Sequence, residues 1–248
     1  MKLAVLSDIH SNVFALEAVI EDAQSRSVSD MANLGDILYG PIAPKATYDM
    51  LMTHNFVTIS GNQDRQIYES SAEQISENPT MKFILDDLGC EPLDWMKALP
   101  FDHQFNDDIY LCHGTPSSDL IYLLEDVSSG SPVLRNDDEI TTLLAGQSSS
   151  MVCCGHTHLA RTVGLNNGQT IVNPGSVGLQ AYMDEEPVVH SMQNFSSHAS
   201  YSTVEQKDNG WVVENIKVPY DVESAVKECK KRGRADWVHF LGTGRDLS

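Results

Sequence analysis

Seven side chains that can bind metal ions follow short apolar stretches of this sequence, close to the point where each stretch ends. They are two carboxylates, one amide and four imidazoles: Asp8, His10, Asp36, Asn62, His113, His156 and His158. The preceding stretches, such as "KLAVL" and "FVTIS", have the composition of buried β-strands. Oxygen and imidazole ligands without thiolate suit divalent ions such as Mn, Fe, Zn, Co or Ni. The pattern therefore predicts a metal site assembled from several turns.

Taken singly, most of these residues have a simpler explanation, because Asp and Asn after a strand commonly form turns or cap helices. The two histidines of "GHTH" are a stronger signal, since alternate residues of an extended segment face the same way. The carboxyl ends of parallel strands share one edge of a sheet, where ligands usually bind. We therefore expect the turns to converge there. The other histidines lack this setting and are predicted to be surface or packing residues: His54, His103, His190, His198 and His239.

The elements that would position these residues alternate between strand and helix through the first 65 residues. "KLAVLSD", "DMANLGD" and "NFVTISGN" predict three strands. Between them lie a helix capped by Ser11 or Asn12 and a second helix with Pro44 in its first turn. Three strand–helix units in succession indicate a parallel sheet with helices on its faces.

The rest of the chain is predicted to continue the same domain. Residues 66–100 are polar and helical in tendency, so we interpret them as a helical insertion. Hairpins are predicted at Asn167–Gly168 and Asn209–Gly210, so the second half contributes mainly antiparallel strands, closed by a helix from about Val222. No repeat or linker-like tract divides the chain, and we predict a single domain over residues 1–248. Residues 66–100 and the polar loop 184–198 are the expected walls of a substrate pocket.

The charge balance excludes several partners. The chain has 35 Asp and Glu against 16 Lys and Arg, a formal net charge of −19. Such a field disfavours duplex nucleic acid and anionic membranes, which need a cationic face. The one basic stretch, Lys230–Arg234, is interpreted as a solvated helix end.

Five cysteines without CxxC spacing, and no segment resembling a signal peptide or a transmembrane span, predict a reduced, cytoplasmic protein. The oligomeric state cannot be read from the sequence.

In order and spacing, the motifs D-x-H, G-D, G-N-x-D, H-G and G-H-T-H resemble those of the calcineurin-like metallophosphoesterase superfamily, particularly its small prokaryotic phosphodiesterase branch. The match runs from residue 1 to about residue 178, including "NPGSVG". The resemblance implies an α/β fold, a four-layer α/β/β/α sandwich of two mixed sheets flanked by helices. It also implies two divalent metal ions. One would be held by Asp8, His10, Asp36 and His158, and the other by Asp36, Asn62, His113 and His156, with Asp36 bridging.

The same resemblance implies a hydrolase that acts on a small phosphorylated substrate. Phosphodiesters or activated phosphate esters would be attacked by a hydroxide shared between the two metals. Protein and nucleotide phosphatases and dinucleotide pyrophosphatases of the superfamily carry the same motifs and stay open as alternatives. A non-catalytic interaction module on this fold is a third possibility, although a scaffold has no reason to keep all seven ligands.

The sequence departs from many relatives at the fourth motif, where "GNHD" or "GNHE" is replaced by "GNQD". The resemblance places this histidine beside the leaving oxygen, so the catalytic positions carried over are Asp36, Asn62 and Gln63. The amide of Gln63 can donate a hydrogen bond but cannot give up a proton, so general-acid help is not expected from this position. Asp64 is expected to cap the following helix or to orient the turn.

Overall fold

Two five-stranded sheets form the centre of the protein, which is described here for residues 1–247 by a computed structural model. The strands are β1 (Lys2–Leu6), β2 (Asp30–Asn33), β3 (Phe56–Thr58), β4 (Asp102–Gln104), β5 (Ile109–Cys112), β6 (Glu125–Asp126), β7 (Val133–Leu134), β8 (Met151–Cys153), β9 (Ala160–Gly164), β10 (Thr170–Pro174), β11 (Ala181–Asp184), β12 (His190–Gln193), β13 (Ala199–Lys207) and β14 (Gly210–Val218). The helices are α1 (Val13–Ser25), α2 (Pro44–Met52), α3 (Asn62–Glu69), α4 (Ala72–Glu77), α5 (Pro79–Leu88), α6 (Cys90–Ala98), α7 (Asp137–Leu143), α8 (Val222–Lys231) and α9 (Ala235–Thr243).

The first sheet has the strand order β14-β13-β1-β2-β3. Strands β1, β2 and β3 run parallel, as the alternation of strand and helix predicts. Asn12 caps α1 by accepting a hydrogen bond from the backbone N–H of Ala15, and Pro44 stands in the first turn of α2. Strands β13 and β14 form the predicted hairpin at Asn209–Gly210, and β13 pairs antiparallel with β1. The carboxyl ends of the three parallel strands therefore lie along one edge.

The second sheet has the order β4-β5-β8-β10-β9. Its three central strands are parallel, and β4 and β9 pair antiparallel at the two edges. The predicted hairpin at Asn167–Gly168 joins β9 to β10, which also pairs parallel with β8. Consequently β5 and β8 point their carboxyl ends in the same direction, and the residues that follow these two strands lie side by side.

The two sheets pack face to face between two layers of helices. Leu3, Ile59, Leu111 and Val172 belong to the apolar core between the sheets. Helices α1, α2 and α5 cover the outer face of the first sheet, and α7 covers the second. Burying each such aliphatic side chain stabilises the fold by about 1.5–3 kcal/mol. The predicted four-layer sandwich of two mixed sheets is confirmed.

The segment between β3 and β4 contains four consecutive helices, α3 to α6. Their apolar residues, including Ile67, Ile84 and Met96, pack in one cluster with Tyr48 and Leu51 of α2. The helical tendency expected for residues 66–100 is therefore present, although the first of these helices already begins at Asn62 within the "GNQD" motif.

The chain ends in two helices where the sequence predicts one. Helix α8 begins at Val222 as expected, but Gly233 has a φ of 68° and separates it from α9. Trp237 and Phe240 of α9 pack with Ile42 and Leu179, which places this helix beside the ends of the strands. Among residues 1–247, no helix is long and apolar enough to cross a membrane.

Candidate metal centre

The seven predicted ligands lie at the carboxyl ends of five strands, but these strands belong to two sheets and not to one. Asp8 and His10 follow β1, Asp36 follows β2, and Asn62 begins α3 after β3. His113 follows β5, and His156 and His158 follow β8 of the second sheet. The turns converge as expected, but at the edges of two sheets, so the expectation of one shared edge was wrong.

These side chains form two neighbouring groups. The potential ligand atoms of Asp8, His10 and His158 lie within 4.8 Å of one another, as do those of Asp36, His113 and His156. Asn62 joins the second group, because its Oδ1 is 3.0 Å from Nε2 of His113. The structure therefore brings together all seven predicted residues. The bridging role of Asp36 stays a prediction, since its carboxylate is grouped with one set only.

Two histidines of the first group are held with the same ring nitrogen toward the site. His10 donates from Nδ1 to the backbone carbonyl of Tyr39 at 3.1 Å, and His158 donates from Nδ1 to that of Leu179 at 2.7 Å. Because a carbonyl oxygen can only accept, each Nδ1 carries a proton. In the neutral rings, both Nε2 atoms therefore present lone pairs to the site, as metal-binding histidines do.

The polar atoms of this first group fit a cation. The Nε2 atoms of His10 and His158 are only 3.0 Å apart, so two lone pairs would face each other unless a proton or a cation lies near both. The Oδ1 atom of Asp8 is buried without a hydrogen-bond partner and lies 3.4 Å from Nε2 of His158. A buried carboxylate oxygen in this position is costly unless a positive charge compensates it. A divalent cation would satisfy all three atoms.

The second group has the same chemistry. His113 donates from Nδ1 to the backbone carbonyl of Leu34 at 2.8 Å, so its Nε2 faces Oδ1 of Asn62 at 3.0 Å and Oδ2 of Asp36 at 3.5 Å. Burial opposes a charge on His113, but the Asp36 and Asp8 carboxylates outweigh burial and raise its pKa to about 10. A divalent cation would take the place of the proton held among these acceptors.

Two of the other imidazoles, those of His10 and His156, are kept neutral. Burial, reinforced by the nearby imidazole of His158, lowers the pKa of His10 to about 4. Burial and His113 lower the pKa of His156 to about 4 in the same way. Burial alone would raise the pKa of Asp8, yet His158 and the other imidazoles hold it below its usual range. His10 and His156 therefore offer uncharged imidazoles and Asp8 an ionised carboxylate, the forms that bind metal.

Five of the predicted ligand residues have left-handed backbone conformations, with φ between 50° and 70°: Asp8, His10, Asp36, His156 and His158. Non-glycine residues rarely adopt this region, and clusters of such residues are typical of functional sites. The same turns require glycine where the backbone comes close. A Cβ on Gly61 would lie 2.2 Å from Oδ1 of Asp36, and a Cβ on Gly178 would lie 1.7 Å from the Ile9 carbonyl oxygen. Both contacts are sterically impossible.

The residues after Asn62 hold the turn in place. The carboxylate of Asp64 accepts hydrogen bonds from the backbone N–H of Gly61 at 3.0 Å and of Ile37 at 2.8 Å, which ties the turn after β3 to the turn after β2. Burial, together with the charge of Asp36, raises the pKa of Asp64 to about 7. The predicted capping and orienting role of Asp64 is confirmed.

Gln63 lies at the site and not on the outer surface of the turn. Its backbone N–H donates to Oδ1 of Asp36 at 2.9 Å. Its side chain lines the cleft above the ligands, and its Oε1 atom is buried without a hydrogen-bond partner. The Gln63 side chain therefore borders the same cleft as the candidate ligands.

The cleft above the ligands has a volume of about 230 Å³. Among the residues forming its walls are Tyr39, Tyr182, Asp184, Arg234, Asp236 and Trp237. The predicted walls were largely wrong, since no residue of 66–100 lines the cleft and Asp184 is the only one from the 184–198 loop that does. The interpretation of Lys230–Arg234 as a solvated helix end was wrong for Arg234. Sequence periodicity could have shown that one face of α9 is buried, but not that it borders this site.

Comparison with known proteins identifies the family. The model of the calcineurin-like phosphoesterase superfamily domain matches residues 1–194. The chain belongs to this superfamily. The predicted resemblance is thus confirmed over most of the chain. The superfamily match ends before α8 and α9, so Arg234, Asp236 and Trp237 come from outside the matched domain.

Relatives of similar length cover the C-terminal helices as well. This superfamily member is 25% identical over 258 residues to an uncharacterized protein of Methanocaldococcus jannaschii, covering 97% of this chain and 98% of that protein. The crystal structure of a metallophosphoesterase from Sphaerobacter thermophilus covers 99% of this chain and 100% of its own, with 21% identity and a TM-score of 0.75. A hypothetical protein from Pyrococcus horikoshii gives 19% identity, 99% coverage of both chains and a TM-score of 0.76. These two structures share the fold.

Proposed function

We propose that this superfamily member is a metal-dependent phosphoesterase that hydrolyses phosphodiesters or activated phosphate esters of small molecules. The proposal rests on the two adjoining groups of candidate ligands. In each group, imidazole nitrogens and carboxylate oxygens lie close together, and there are too few protons for all of these acceptor atoms to be hydrogen-bonded. Such an arrangement fits two divalent cations, and membership of the superfamily supports the same chemistry.

The charge of the ligand set suits an anionic substrate. Two divalent ions at this site would polarise the phosphoryl oxygens and lower the pKa of a water molecule. Asp8 and Asp36 supply only two negative charges against four positive ones, which leaves a local charge of about +2. The site would therefore attract a phosphate group even though the protein as a whole has a formal charge of −19.

The side chains beside the ligands determine which esters can react. The backbone N–H of Gln63 fixes the Asp36 carboxylate, and the Gln63 side chain lines the cleft, where its amide could donate a hydrogen bond to a substrate oxygen. An amide cannot supply a proton to the departing oxygen. We therefore expect esters whose leaving groups carry negative charge well to react in preference to unactivated alkyl monoesters.

We predict two metal ions per chain. After reconstitution with Mn or Zn, elemental analysis of the purified protein should approach two equivalents, because each group supplies at least three ligand atoms. His158→Ala should lose mainly one equivalent. His103→Ala, which changes an exposed histidine, is the matched control and should retain both. A metal content near zero after reconstitution would contradict the site assignment.

The function is tested by assaying several divalent ions against aryl mono- and diesters, cyclic nucleotides and dinucleotides. We expect metal-dependent hydrolysis of aryl diesters that a chelator abolishes and added metal restores. A strong preference for dinucleoside polyphosphates would instead support the dinucleotide pyrophosphatase alternative. If protein containing two metals hydrolyses none of these compounds, the phosphoesterase proposal is wrong, and a non-catalytic interaction module becomes the better explanation.

A further inference from the structure

One wall of the cleft contains an ion pair from the part of the chain beyond the superfamily match. The guanidinium of Arg234 contacts both carboxylate oxygens of Asp236, with Nε donating to Oδ1 at 2.9 Å and Nη2 donating to Oδ2 at 2.6 Å. A third donor, Nη1, contacts Oγ1 of Thr80 on α5 at 2.7 Å. Arg234 is therefore held from two sides, and its charge is neutralised by Asp236.

This pairing leaves the wall without an available cation. Among residues 1–247, Arg234 is the only Lys or Arg that lines the cleft. Asp184, also at the cleft, is exposed and adds a negative charge. Tyr39 and Trp237 contribute uncharged surface. Away from the candidate metal ligands, the wall is thus neutral to negative and partly aromatic.

We propose that the Arg234–Asp236 pair makes the cleft selective for phosphodiesters whose second substituent is uncharged or cationic, and selects against substituents that carry a further phosphate or a carboxylate. This inference rests on the proposed phosphoesterase function and specifies its substrate class. It assigns a specificity-determining role to two residues of the C-terminal helices, apart from the metal ligands.

The physical reason is the cost of desolvating a second anion. A phosphate or carboxylate against this wall would lose water without gaining a free cation, unless Arg234 released Asp236 and left that carboxylate unpaired. An alkyl or aryl group would instead contact Trp237 and Tyr39 and lose little hydration. A quaternary ammonium group would gain from the aromatic surface and from Asp184.

The inference can be tested with three p-nitrophenyl phosphodiesters that share one leaving group. Their second substituents are ethyl, choline and 2-carboxyethyl, so the leaving group stays constant while the substituent facing the wall is neutral, cationic or anionic. We expect kcat/KM for the carboxyethyl ester to be lowest, on the order of 10-fold below the ethyl ester, as for a unit charge acting across a partly hydrated cleft. Calorimetric affinities of propyl phosphate, phosphocholine and 2-carboxyethyl phosphate should follow the same order without turnover.

Two substitutions should shift this preference in opposite directions. Asp236→Asn frees the Arg234 charge and should raise the carboxyethyl-to-ethyl ratio about 10-fold. Arg234→Gln leaves Asp236 unpaired and should lower that ratio while favouring the choline ester. Glu228→Gln is the matched control, because it removes one negative charge beside Arg232 on the neighbouring helix, away from the cleft lining. It should leave the ratio unchanged, and thermal unfolding checks that each variant is folded.

The outcomes separate this inference from the function on which it rests. If the protein containing two metals hydrolyses none of the three esters, the proposed function is contradicted. If it hydrolyses all three with equal kcat/KM, or if Asp236→Asn and Arg234→Gln change the ratio no more than Glu228→Gln does, the selectivity assigned to the pair is wrong while the phosphoesterase function stands.

Discussion

Asp36→Asn is expected to reduce kcat/KM for an aryl phosphodiester to below about one-hundredth of the wild-type value. Mutation of residues that only orient metal ligands typically reduces metal affinity or activity 10–100-fold. The loss should be larger for Asp36, which is predicted to contact the metals directly. Its carboxylate is buried, faces His113 and accepts the backbone N–H of Gln63. Asparagine keeps the size and one oxygen but removes the negative charge that two adjacent dications require. Steady-state kinetics with saturating metal measures the loss.

A bridging role for Asp36 is distinguished from binding to one metal by comparing Asp36→Asn with changes at residues assigned to a single metal. Asp8→Asn and His158→Ala should weaken mainly one site, so excess metal should partly restore their activity. The Asp36→Asn defect should persist, because no concentration of metal replaces a shared ligand. If Asp36→Asn kept more than a tenth of wild-type activity, Asp36 would not bridge the two ions.

The positions of the candidate ligand residues could be predicted because each follows a strand that is recognisable in the local sequence, and because seven such residues occur together. Asp8 and Asp36 each follow a short strand, and these two strands pair in parallel. Once a strand is recognised, its carboxyl end is known within a residue or two, and metal-binding side chains there are conspicuous. The left-handed backbone at these residues was not predictable, since neighbouring segments and not local propensity hold it.

The walls of the cleft could not be predicted in the same way. Trp237 and Phe240 recur at helical spacing, which indicates a buried face, but their partners Ile42 and Leu179 are distant in sequence. Nothing local indicates which surface α9 will contact. The basic stretch ending at Arg234 was interpreted as a solvated helix end. The sequence nearby does not show that Arg234 contacts Thr80, which lies on a different helix. Long-range packing, and not residue type, determines which side chains line the cleft.

The second large effect is expected at Gln63, through the dependence of rate on the leaving group. If no side chain there supplies a proton, hydrolysis should slow steeply as the leaving group becomes more basic. Aryl esters such as p-nitrophenyl esters should then react much faster than alkyl esters of the same shape. The position of Gln63 supports this, because its side chain lines the cleft and its Oε1 has no partner within the protein.

Gln63→His should therefore accelerate the hydrolysis of esters with poor leaving groups, by up to about 10²-fold, the lower end of general-acid effects. Only the side chain changes, so the backbone hydrogen bond from residue 63 to Asp36 is retained. Gln63→Met is the matched control, since it replaces the amide without introducing a titratable group and should not accelerate the hydrolysis of esters with poor leaving groups.

The measurement is a plot of log kcat/KM against leaving-group pKa for all three proteins. Wild type and Gln63→Met should show steep negative slopes, and Gln63→His a shallower one. A wild-type slope near zero would mean that a water molecule or a more distant histidine already acts as the acid. Equal slopes in wild type and Gln63→His would mean that residue 63 does not set the leaving-group requirement.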